Sequence, residues 1–75
     1  MERDVKQDIK AMYDSVHVVD AMIAANVHDD ESNDNVDRNY RHLEIMMEKD
    51  WIKESGEDLQ DFVDCIARAK AWLGA

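Results

Sequence analysis

The chain has 75 residues, of which 18 are acidic and nine basic, giving a formal charge of −9 with one cysteine and no proline. So short a chain builds one domain around a small core, and its single thiol excludes an intrachain disulfide. The acidity excludes direct binding to nucleic acid or an anionic membrane, since both require a basic surface, so partners attracted by charge should be basic.

The opening residues MERDVKQDIK are charged from the second onward, and no apolar run approaches the ~20 residues of a membrane-spanning helix. These features predict a soluble, cytoplasmic protein. The apolar residues Val5, Ile9, Met12, Val16, Val19 and Ile23 then recur in alternating steps of four and three. That is the seam of an amphipathic helix, and it predicts helix 1 over about residues 2–26.

Residues 28–37, HDDESNDNVD, carry five acids and no base, more than half of the excess negative charge. The expected role is an acidic connector over about 27–33, with Ser32, Asn33 or Asp34 capping the next helix. Helix 2 is predicted over about 34–54 from Val36, Tyr40, Leu43, Met47 and Trp51. The sequence SGED at 55–58 has the form of a capping box, with Ser55 as the cap and Asp58 reaching back to it. Gly56 suits the tight turn. Helix 3, over about 57–73, would bury Leu59, Phe62, Val63, Ile66, Ala69 and Leu73. The prediction is a single all-α domain over 1–75: a three-helix bundle whose last two helices form an antiparallel hairpin.

Chemical signatures are absent from this pattern. A calcium loop starting at Asp29 would place Asp34 where its turn needs glycine and Tyr40 where it needs a bidentate glutamate. His17, His28, His42 and Cys65 lack the local pairing of a zinc site, and no glycine-rich turn gathers backbone N–H groups into an oxyanion site beside a serine or cysteine. Asp58, Asp61 and Asp64 line one helix face, where carboxylates are ordinarily solvated rather than poised as acids or bases. The expectation is a non-enzymatic protein with no cofactor and no metal.

Apolar residues exceed what one seam per helix requires. At 100° per residue, Ile45 and Ile52 fall opposite the main seam of helix 2, helix 1 has a second stripe of Ala11, Val18, Met22 and Ala25, and Cys65 and Trp72 flank the seam of helix 3. Either helix 2 lies between the other two, or the surplus faces a second copy or a partner; a homodimer is expected. The candidate partner-binding residues are Asp29, Asp30, Glu31, Asp58, Asp61 and Asp64 by charge, and Ile45, Ile52 and Trp72 by apolar contact.

The stretch from Asn39 to Leu73, with its HLEIM run, SGEDL turn and terminal AKAWL, resembles a helical hairpin of small acidic accessory proteins encoded by tailed bacteriophages and prophages. It covers about half of the chain. The resemblance implies either a regulator or inhibitor that binds a host protein, as anti-CRISPR proteins do when they occupy nucleic-acid-binding surfaces, or a structural or assembly component of a phage particle. It transfers no functional residue.

Overall fold

The computed structural model describes residues 4–74. Four helices follow one another: α1 (Val5–Ala25), α2 (Asp30–Met47), the single turn α3 (Asp50–Lys53) and α4 (Gln60–Gly74). Among the described residues there is no strand. Each of the three long helices packs on both of the others, which makes the protein an all-α helical bundle. No described helix is long and apolar enough to cross a membrane. The predicted start of the first helix at residue 2 lies outside the described residues.

The core follows the predicted seams. Met12, Val16 and Val19 of α1 meet Val36, Tyr40 and Leu43 of α2 and Phe62, Cys65 and Ala69 of α4, all buried in one cluster. Val5, Ile9, Met47, Trp51, Leu59, Ile66 and Leu73 pack around its edges. Tyr13 and Phe62 add a tilted ring contact between α1 and α4, with centroids 4.8 Å apart. Val63 departs from the prediction: it is 46 % exposed, because neighbouring Phe62 and Ile66 already fill the inward side of α4.

The helix ends differ from the sequence expectation in instructive ways. The side chain of Asp4 accepts a bond from the Gln7 amide and so caps α1, which ends at Asn26 in a left-handed conformation (φ 53°), one that asparagine tolerates better than most residues. The next helix starts at Asp30 rather than about residue 34, because Asp29 caps it by accepting a 2.7 Å bond from the Ser32 amide. Most of the expected acidic connector is therefore helix. Asp30 and Glu31 sit in the first turn, where the helix dipole favours negative charge. Asp34 and Asp37 pair with Arg38 and Arg41 one turn on, each at 3.0 Å.

A second difference decides the fate of Ile52. The helix expected to run to residue 54 stops at Met47 and resumes as α3 at Asp50. In an unbroken helix Ile52, nine residues after Leu43, would lie about 180° away from it. The break resets the phase, and Ile52 becomes fully buried. Its neighbour Trp51 donates its indole N–H to Asp8 Oδ2 of α1 at 3.0 Å. Neither glycine nor proline marks the break; tertiary burial overrides a continuous helical pattern here.

Ser55 does not cap the last helix either. Its hydroxyl donates to the Ile52 carbonyl at 2.7 Å and accepts from the Glu57 amide. Asp58 instead accepts from the Gln60 amide at 2.9 Å. The link between α3 and α4 covers residues 54–59, longer than the gap between helices ending about 54 and starting about 57 that the sequence predicts, and Gly56 turns it at φ +77°, where a side chain would be strained.

This packing predicts which truncations matter. Leu43→Ala and Ile52→Ala should each destabilise the protein by about 2–5 kcal/mol, whereas Ile45→Ala, on an exposed position, should stay within about 0.5 kcal/mol. Urea unfolding of the three variants checks this, and an Ile52→Ala cost as small as that of Ile45→Ala would place Ile52 on the surface.

Candidate functional site

The carboxylates singled out in the sequence occupy two places. Asp29, Asp30 and Glu31 are exposed at the N-terminal end of α2. Asp58, Asp61 and Asp64 are exposed at and along the start of α4. His28, just before α2, stacks on Trp72 near the end of α4, so the start of α2 lies away from the start of α4, and the two groups of carboxylates do not form one site.

At the α2 end, Asp29 has a structural role that its exposure hides. The Ser32 amide and hydroxyl stabilise its charged form and hold its carboxyl below the ordinary value of 3.8. Asp30 and Glu31 have no ion pair among the described residues, so they are the uncommitted charges of the original acidic run.

At the α4 end, the carboxylates enter a cleft. Tyr13, Val16, His17 and Asp20 of α1 face Asp61, Asp64 and Arg68 of α4 across a space of about 250 Å³. Two polar links cross it: the Tyr13 hydroxyl donates to Asp61 Oδ2 at 2.9 Å, and the Arg68 guanidinium donates to Asp20 Oδ1 at 2.9 Å. Asp64 accepts from the Gln60 side-chain amide at 2.9 Å. The bond to Asp61 raises the Tyr13 phenol above its usual 10.0, and burial together with the nearby Asp58 and Glu57 charges adds to that shift. The sequence showed the row of three aspartates but not the wall that α1 places opposite it. Only the helix-to-helix register puts Tyr13, His17 and Asp20 there.

The apolar candidates separate. Ile45 is 58 % exposed, and with Val27 and Val63 it is one of three large apolar residues on the described surface. Ile52, expected on a contact face, is in the core and cannot meet a partner. Trp72 is half-buried against the core, and its ring stacks on His28 with centroids 4.1 Å apart. That stack ties the α1–α2 loop to the end of α4, so Trp72 is partly engaged within the chain.

One polar pair escaped the sequence reading. The Ser15 hydroxyl, buried on α1, lies 3.0 Å from His42 Nδ1 on α2. Both residues sit within helices, whose backbone N–H groups are engaged along the helix and supply no oxyanion site. The pair satisfies a buried hydroxyl and fixes the register of the two helices. Cys65 is fully buried, and burial pushes its thiol above the usual 9.0, the direction of an inert core residue rather than a nucleophile. Among the described residues, no group of three or more histidine, cysteine or carboxylate side chains is placed to hold a metal ion.

Comparison with protein-family models, with curated proteins and with solved structures gives no match.

The cap predicts a pH effect of definite sign. A depressed carboxylate pKa stabilises the fold above the unfolded value and loses that contribution as pH falls through the folded value. Asp29→Ala should therefore lower the melting temperature at neutral pH and flatten the loss of stability below about pH 4, while Asp29→Asn, which retains the capping oxygen, should behave close to the parent at neutral pH. Thermal melts by circular dichroism between neutral and acid pH check both statements.

Proposed function

We propose that this protein is a non-enzymatic binding module that engages a basic protein surface, acting as a phage-encoded regulator or inhibitor of a host protein. The observation that carries this reading is the contrast between a closed interior and an acidic exterior. The apolar seams pack on one another, and the groups left outward are chiefly carboxylates: Asp30 and Glu31, which have no ion pair among the described residues, and the exposed aspartates beside the α1–α4 cleft, which are hydrogen-bonded within the chain. Carboxylates on helices keep fixed spacings, as the phosphates of a nucleic acid do, and a groove built to hold phosphates would be attracted to them. The resemblance of the Asn39–Leu73 hairpin to small phage accessory proteins supports the same direction, including an anti-CRISPR-like mimicry of nucleic acid.

The second reading is a self-associating structural or assembly component of a phage particle. Ile45 favours it, being an exposed isoleucine on the middle helix. Against a homodimer, Ile52 is fully buried and Trp72 is partly buried and stacked on His28 within the chain.

Two measurements separate the readings. Immobilised on a resin, the protein should retain one host protein in stoichiometric amount and release it as salt rises, since charge attraction is screened over about 8 Å at physiological ionic strength. Sedimentation over a concentration series should give the monomer mass, unchanged by Ile45→Glu. Retention of only its own copies, with a dimer mass that Ile45→Glu abolishes, would replace the first reading by the second.

A further inference from the structure

The two ends of the bundle are fastened differently. At the α3 end the fastening is polar: the Trp51 indole N–H donates to Asp8 Oδ2 of α1, and the Ser55 hydroxyl closes onto the Ile52 carbonyl. At the other end, the caps at Asn26 and Asp29 leave Val27 and His28 between α1 and α2, both exposed. His28 reaches α4 through its ring, which lies on that of Trp72 with centroids 4.1 Å apart and planes 19° apart. Two buried side-chain polar atoms border this end without a hydrogen-bond partner among the described residues, the Trp72 indole nitrogen Nε1, a donor, and Asn33 Oδ1, an acceptor. A donor or acceptor buried without a partner loses its hydration and gains nothing in return. The closed arrangement here is therefore held by ring contact and apolar burial, against a polar cost that the α3 end does not carry.

We propose that His28 is a strap over Trp72 that opens on its own: its ring lifts from the indole, water reaches Trp72 Nε1 and Asn33 Oδ1, and the core around Met12, Leu43 and Phe62 stays closed. Opening costs less here than global unfolding because it breaks one stack and releases two desolvated polar groups, while the buried seams remain packed. The open state uncovers an indole face next to the exposed Val27, so the availability of Trp72 to anything outside the chain is set by His28. This device is independent of the charge of any partner.

The test follows exchange of the Trp72 indole proton into D2O by ¹⁵N-resolved NMR at several low urea concentrations, beside the backbone amide of Leu43. The expected result is that the indole proton exchanges faster than the Leu43 amide and responds little to urea, as a local opening that exposes little surface does. His28→Ala should speed the indole proton by about two- to tenfold, the worth of one ring stack, and leave the Leu43 rate unchanged. His28→Phe, which restores a ring, should return it toward the parent rate. An indole proton that exchanges with the rate and urea dependence of Leu43 would overturn the strap, since it would open only with the whole fold. Fast exchange that His28→Ala leaves unchanged would overturn it too, showing fraying of α4 without control by His28.

Discussion

The structure depends on the interlocking of three helix seams around Met12, Leu43 and Phe62, each fully buried. A chain of this size buries a smaller fraction of its surface than a larger domain does, so it has little apolar material to spare, and the bundle packs most of its large apolar side chains into or against one core. The break after Met47 shows how strong that constraint is. It interrupts a pattern that would otherwise continue as helix, and the consequence is that Ile52 joins the core while Trp51 reaches Asp8 on α1. The Ser15–His42 bond works in the same interface, satisfying a buried hydroxyl and holding α1 and α2 in register.

What the interior uses, the exterior lacks. With the seams closed, the described surface keeps only scattered large apolar residues, Val27, Ile45 and Val63, and the chain's nine excess negative charges become its dominant external property. Several of these charges are nonetheless internal to the fold's economy: Asp4 and Asp29 cap helices, Asp34 and Asp37 hold arginines one turn away, and Asp20 holds Arg68. The carboxylates with free capacity are therefore fewer than composition implies, and their placement on rigid helices gives them directional character that an unstructured acidic loop would not have.

The seams of α1, α2 and α4 were legible in the sequence because period and burial agree: Met12, Val16, Val19, Val36, Tyr40, Leu43, Phe62 and Ala69 were all read as inward and are buried. The start of α2 was not. Asn and Asp are weak helix formers and strong caps, so HDDESNDNVD supports several starting points, and only the choice of Asp29 as cap selects one. The burial of Ile52 is not legible in the sequence, because a fixed 100° advance per residue does not hold across a break that no residue announces. The α1–α4 cleft was half legible, since the Asp58, Asp61 and Asp64 row follows from spacing, whereas Tyr13, His17 and Asp20 come opposite it only through long-range register.

The central claim is that one copy of the chain closes its own core. Native-state amide hydrogen exchange, followed over a wide range of protein concentration, tests it most directly. The account predicts that the slowest amides cluster around Met12, Leu43 and Phe62, exchange at a common rate set by global unfolding, and are protected equally at every concentration. Protection that rises with concentration, the mark of a fold stabilised by a second copy, would contradict it.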